Sequence, residues 1–296
     1  MGLTGAATLA AFLLLFGIAW KILDLSRPAI SRYGFGFITH QGWDTVHRQF
    51  GALDLIWGTA ITSFLALLVA APVSIAIGLY LSELAPRGFR LIIGTLVELL
   101  AAIPSVVLGL WGILVLGPFV GAHIEPWLQR HLGFIPLFSG SPQNVGILIA
   151  VLVLTIMIVP ICSSICRELF LSVPSELEEG ALALGATRWE MVRGVVLPYT
   201  RSGVSAALIL GLGRAVGEAI AVSMVIGAGF GIHWSLFATG DTLASKIANQ
   251  YQSADTDILR SSLVYLAGIL LIISLLVNLA AQVIVRRFSY QRVGGT

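Results

Sequence analysis

The sequence predicts an all-α polytopic membrane protein with six transmembrane helices. Three observations predict it. Of 296 residues, 57% are hydrophobic and 11% charged, with mean hydropathy +0.94; a soluble domain carries about 25% charged residues. Six apolar runs are each long enough to span a bilayer, at 3–23, 55–82, 91–117, 145–166, 203–227 and 261–285. Basic residues are also denser in one set of connections than in the other. Lys plus Arg total 17 and Asp plus Glu 15, too few to cover a soluble globule of this size. So apolar a chain is not disordered. A net charge of +2 gives no footprint for nucleic acid.

The first run has no basic residue before it, Lys21 at its end and no small-residue cleavage site after it. It reads as a retained span, not a signal peptide. The second, at 28 residues, would reach about 42 Å at about 1.5 Å per residue. That exceeds a hydrocarbon core of about 30 Å, so the helix tilts or protrudes. Pro72, Pro104 and Pro160 fall inside runs, as kinks that neighbouring helices can satisfy. Cys162 and Cys166 are the only cysteines, spaced for one helix face and read as packing residues. His40, His47, His123, His131 and His233 are expected in connections. None forms a close ligand pair, so no metal site is expected.

Six spans place both termini on one side. Segments 83–90, 167–202 and 286–296 hold nine of the 17 basic residues: Arg87, Arg90, Arg167, Arg188, Arg193, Arg201, Arg286, Arg287 and Arg292. The opposite segments, which are longer, hold seven, among them Lys21 and Lys246. The denser set is expected in the cytoplasm, and both termini with it.

Segment 167–202 is the most charged inner connection and does not read as a tether. Ser175-Glu-Leu-Glu178 and Thr187-Arg-Trp-Glu190 both have the form of a capping box. Two short helices are expected, about 176–184 and 188–196, hinged at Gly185 in a left-handed turn. Pro198 is expected to stop the second. Leu177, Ala181 and Leu184 share one apolar face at helical spacing, with Glu178 and Glu179 in water. Physics alone leaves two readings open: a hairpin lying on the membrane surface, or a docking element for a cytoplasmic partner.

Glu179-Gly180-Ala181, then Gly185 after three residues, then Val195-x-Leu197-Pro198, resembles the EAA motif of ABC-importer permeases. Gly180 stands where that family has Ala, and Val195 where it has Ile. Further stretches resemble the PstC-type permeases of bacterial phosphate importers. These are Gly78–Pro86, Glu98–Gly112, Arg214-Ala-Val-Gly-Glu218 and Thr242–Asn249. Glu218-Ala219-Ile220 departs from the family's Glu-Thr-Met. The resemblance implies a type I ABC importer permease whose hairpin 175–197 acts as a coupling helix. Its chain would divide into a first helix and extracytoplasmic loop (1–54), the importer transmembrane domain (55–285) and a cytoplasmic tail (286–296). It implies a multi-pass protein of the bacterial inner membrane. The implied partners are a second, PstA-like permease, two cytoplasmic ATPase subunits using ATP and Mg, and an extracytoplasmic phosphate-binding protein.

The residues point separately to an anion path. Glu98, Arg214 and Glu218 are ionisable residues inside apolar runs, where charge is costly and usually functional. A guanidinium stays charged and can grip oxyanion oxygens with two parallel hydrogen bonds. Glu218 follows Arg214 by four residues, on the same face of a continuous helix. Three readings stand for Arg214: it meets the anion, it is locked to Glu218, or it pairs at rest and is released during the cycle. Gly213 and Gly217 would let another helix approach closely. Neither lysine lies in a phosphate-binding loop pattern, so the chain itself is expected to bind no nucleotide and catalyse nothing. Sulfate, molybdate or another small solute remain alternative cargoes. A non-transport membrane assembly role is the alternative from another class.

Overall fold

The structure is a computed structural model describing residues 2–289. Residues 290–296, with Arg292 and most of the expected tail, lie outside the described residues. The first run extends into α1 (Gly2–Tyr33), well past residue 23. A two-residue ladder pairs β1 (Trp43–Asp44) antiparallel with β2 (Gln49–Phe50). The second run becomes α2 (Leu53–Leu84), whose last turn from Tyr80 is wound wider, in π form.

The third run is not one helix. It forms α3 (Arg87–Ala101), stops at Ala102-Ile103-Pro104, and restarts as α4 (Ser105–Leu132). Pro104 has no N–H to continue the ladder and sits extended at ψ 140°. The crossing is therefore α4, and the expected span 91–117 is corrected. His123 and His131 lie on α4, not in a connection. The fourth run becomes α5 (Ile147–Leu171), which carries Pro160 without breaking. Then follow α6 (Ser175–Ala183) and α7 (Arg188–Gly217). The expected fifth span 203–227 is corrected in turn: the helix ends at Gly217, Glu218 is extended, and α8 (Ile220–Val225) begins anew. Helices α9 (Leu243–Gln250) and α10 (Asp257–Ser289) complete the chain. The tail expected from residue 286 is thus helical as far as Ser289.

Six of these helices are long and apolar enough to cross a membrane: α1, α2, α4, α5, α7 and α10. Helix α5 is the most enclosed, with Ile149, Leu154 and Ile158 buried. Helix α2 packs along one side of it and α7 along another; α10 packs on α7, and α1 on α10. Lipid tails are as apolar as these side chains, so close fit rather than water exclusion must hold the helices together. Small residues supply that fit. A Cβ at Gly211 of α7 would sit 2.6 Å from Cys162 Sγ and 2.8 Å from Ile158 Cγ2. Cys162 and Cys166 are free, buried packing residues. The first half of α1 presents Leu9 to Trp20 outward, as a lipid-facing helix does.

Two smaller clusters finish the ends of the bundle. At one end Phe170, Met191, Val192 and Val196 pack beneath the α6–α7 hairpin. At the other, Phe37, Trp43 and Phe50 pack with Leu243, Leu259 and Leu263. Phe37, Trp43, Phe50 and Ala52, from the stretch before α2, therefore share a core with α9 and α10. Substituting Gly211→Val is expected to overpack the α5–α7 contact and cost about 1–3 kcal/mol. A lowered thermal midpoint in detergent checks this, against Gly213→Val, which meets open space and should shift it far less.

Candidate functional site

The hairpin between α5 and α7 is built by two caps. Gly185 takes φ +88°, a conformation that only glycine adopts without strain. Around it, Ala186 N–H donates to Ala181 O at 3.2 Å and Gly185 N–H to Leu182 O at 3.0 Å. These two bonds close α6 in a Schellman motif. Two residues on, Thr187 Oγ1 accepts from Glu190 N at 3.3 Å, while Thr187 N donates to Glu190 Oε2 at 2.7 Å. The second expected capping box is therefore formed. The first is not: Pro174 occupies the cap position, Ser175 is already helical, and no side chain caps α6.

Pro198 does not end the second helix. A widened turn at Val192–Val196 precedes it, and α7 continues to Gly217. A proline ring clashes with the carbonyl four residues back in an ordinary helix; a π-wound turn relieves this. Of the expected apolar face, Ala181 packs against the Phe170–Met191 cluster. Leu177 is exposed, Leu184 is 91% exposed and Trp189 64%. The motif residues divide accordingly: Glu179, Gly180, Gly185 and Pro198 are exposed, and Val195 and Leu197 are half-buried. A cavity of about 280 Å³ opens behind them, lined by Glu83, Arg90, Glu178 and Arg188. Burial pushes the Glu178 carboxyl up, and the charges of Glu83 and Glu179 add to the effect. Glu178 is thus half-buried, while only Glu179 stays fully in water.

Helix α7 has two faces. Val204, Ala207, Gly211 and Ala215 are buried in the bundle at helical spacing. Leu210, Arg214 and Gly217 face outward, and a side chain at Gly213 or Gly217 would meet nothing within 4 Å. Arg214 and Glu218 do not share a helix face, because the helix ends between them. Among the described residues no carboxylate lies within ion-pair distance of Arg214. Glu218 instead turns to α8, where its Oε1 accepts from Ala221 N at 3.3 Å. Glu98 is also corrected. It stands on α3 rather than inside a crossing helix, and its Oε1 lies 3.7 Å from Arg167 Nη1 of α5. The structure therefore does not bring Arg214, Glu218 and Glu98 together.

Sequence reasoning missed a buried ion pair. Lys246 Nζ lies 2.8 Å from Asp241 Oδ2, with both side chains almost wholly buried. The Asp241 backbone carbonyl packs directly on Gly58 of α2. Leu243 N donates to Thr59 Oγ1 at 3.0 Å. The sequence places Lys246 in an outer connection. The available signal was Asp241 five residues before it, separated by small and apolar residues.

The described residues form a bundle of six long apolar helices with a capped hairpin at one end and an open face on α7. Residues 73–290 match the family described as binding-protein-dependent transport system inner membrane component, and the chain belongs to that family. It is 43% identical over 288 residues to the phosphate transport system permease protein PstC of Mesorhizobium japonicum, covering 96% of this chain and 88% of that one. It is equally identical to the PstC of Xylella fastidiosa strain Temecula1, covering 96% and 89%. Similarity to PstC 1 of Mycobacterium tuberculosis is 43% over 265 residues, covering 87% and 78%. The fold resembles a bacterial alginate ABC transporter solved with an alginate-bound periplasmic protein, at TM-score 0.61 and 20% identity over 96% of this chain and 95% of that one. It also resembles the inward-facing MetNI methionine ABC transporter, at TM-score 0.56 and 22% identity, covering 78% and 93%. The fold is that of a type I ABC importer permease.

Two outcomes test the hairpin. Gly185→Val forces a branched side chain to positive φ, at about 1–3 kcal/mol. Amide hydrogen exchange over 175–190 should accelerate about tenfold or more. Glu178→Gln removes a charge that folding disfavours. Its raised carboxyl carries a penalty above the ordinary value of 4.5 that fades as pH falls. The variant should therefore match or exceed parent protection at neutral pH, and the difference should vanish in acid.

Proposed function

We propose that this chain is the membrane permease subunit of an ATP-driven importer that carries inorganic phosphate by alternating access. The observation that carries the reading is its 43% identity, over almost its whole length, to permeases named for phosphate transport. The open face of α7 supports it: a charged guanidinium stands there with no ion-pair partner among the described residues, beside two glycines that leave room for another helix. A second, PstA-like permease would cover that face and place Arg214 beside the path between the two chains. Arg214 would contact phosphate oxygens, and Glu218, one helix break away, would keep that grip weak enough for release. Glu98 would act from the edge of the path through Arg167.

The hairpin would lie in the cytoplasm, as would both termini, in a bacterial inner membrane. Leu184, Trp189 and Leu177 give it an exposed apolar surface, and the caps fix its shape. Two ATPase subunits would grip it there, using ATP and Mg on their own residues. No cofactor is assigned to this chain. An extracytoplasmic phosphate-binding protein would deliver cargo at the opposite end. A guanidinium fits any tetrahedral oxyanion, so sulfate or molybdate is the second reading.

The reading is tested by ATPase activity of the reconstituted complex with its binding protein, offered phosphate, sulfate or molybdate. Stimulation by phosphate above the others is expected; stimulation by sulfate alone would replace phosphate as cargo. Arg214→Gln should reduce phosphate uptake at least tenfold while the complex still assembles. Uptake at the parent rate would remove Arg214 from the path.

A further inference from the structure

The connection between α8 and α9 folds back over the start of α2. Gly231 N–H donates to Asp54 Oδ2 at 3.4 Å, and the Trp57 indole N–H donates to His233 O at 3.2 Å. Phe230 sits in this connection between Gly227 and Gly231, both at φ +87°. Its ring is 57% exposed. Beneath the ring, at 5.0 Å from its centroid, lies the Lys246 ammonium. The Lys246 side chain is 3% exposed and that of Asp241 1%.

This cation is underused. An ammonium has three N–H donors, and among the described residues Lys246 touches one acceptor, Asp241 Oδ2 at 2.8 Å. The other carboxylate oxygen is taken by Thr242 N at 2.8 Å. The ring offers a π face but no lone pair. A buried charge is costly unless its hydrogen bonds are filled, and an apolar residue would anchor α9 at lower cost. The unfilled donors therefore point to a ligand with several oxygen acceptors. The exposed Phe230 ring lies over this ammonium, on a turn between two glycines at positive φ.

We propose that Lys246 is a second cation for the transported oxyanion, reached when Phe230 swings aside. Asp241 holds the ammonium in place and offsets its charge, so the anion is passed on rather than trapped. The proposal rests on the phosphate-permease reading and adds to it an entry site distinct from Arg214.

The assembled transporter in proteoliposomes tests it. The double variant Lys246→Met/Asp241→Asn removes both charges and strands neither. Phosphate uptake should fall at least tenfold, with assembly and basal ATPase activity retained. Uptake within twofold of the parent would make the pair a structural anchor and overturn the proposal. A second measurement does not depend on that variant folding. Lys21 and Lys246 are the only lysines of the chain, so labelling by pyridoxal 5′-phosphate with borohydride can be read site by site, with exposed Lys21 as reference. Phe230→Ala should raise Lys246 labelling at least fivefold relative to Lys21, and inorganic phosphate, but not equal ionic strength of chloride, should suppress it. No rise, or no protection by phosphate, overturns the proposal. Uptake by the parent separates this failure from that of the broader reading: a parent that carries sulfate but not phosphate refutes the cargo, and the Lys246 measurements are then made with sulfate.

Discussion

The first turn of α5 is closed by backbone from elsewhere in the chain, and much of the bundle depends on that closure. Gly146 N–H donates to Val225 O at 2.9 Å, Ile147 N–H to Ala238 O at 3.0 Å and Leu148 N–H to Leu236 O at 2.8 Å. A helix leaves its first four N–H groups unpaired, and in an apolar surround each would cost several kcal/mol. The connection 226–240 must therefore follow a fixed course across the start of α5. Gly240 N–H to Ile226 O and Gly229 N–H to Gly240 O pair the two arms of that connection with each other. Once it is fixed, α8 is held at one of its ends and α9 at the other.

That arrangement explains why α7 can be open on one side without loss of order. Its buried face is set by close contacts to α5, with Gly211 against Cys162 and Ile158. Its C-terminal end is followed by an extended residue whose side chain caps the next helix. Arg214 is thus presented by a helix fixed from behind and from its end. A cation at a chain-to-chain boundary can change partners as the boundary moves, whereas one locked within its own helix cannot. The absence of an Arg214–Glu218 pair favours the reading in which the guanidinium meets something outside this chain.

Apolar content, six crossing helices and the Gly185–Glu190 part of the hairpin were legible in the sequence because each rests on local chemistry. The Thr187–Glu190 box and the turn at Gly185 depend on a few adjacent residues. What was not legible depends on distant partners or on a competing local rule. The Ser175 box failed because Pro174, already extended, takes the cap position. Apolarity alone could not divide 91–117 or 203–227, since hydropathy does not register a change of helix direction. Pro104 carried the signal for the first break, but prolines also sit within α2 and α5 without breaking them. Glu218 carried no such signal, and its placement at i, i+4 from Arg214 suggested a pair on a helix that the fold does not continue.

The missed contact between Asp241 and Lys246 has a different cause. Short apolar stretches between charges read as surface when neighbouring runs already account for the spans. Burial here is imposed from α2, where Gly58 admits the Asp241 carbonyl and Thr59 supplies an acceptor for Leu243 N. No local pattern encodes a partner more than 180 residues away. The chain has few charges, and those charges differ in kind. Glu179 and Arg193 lie exposed on or beside the hairpin. Arg214 is exposed on α7, with no ion-pair partner among the described residues. Lys246 is enclosed but incompletely satisfied. A soluble protein hydrates its charges wherever they fall. In a membrane-spanning bundle each one needs a partner, a cavity or a boundary. Among the described residues, Arg214 stands at a boundary and Lys246 in an enclosed contact with one carboxylate.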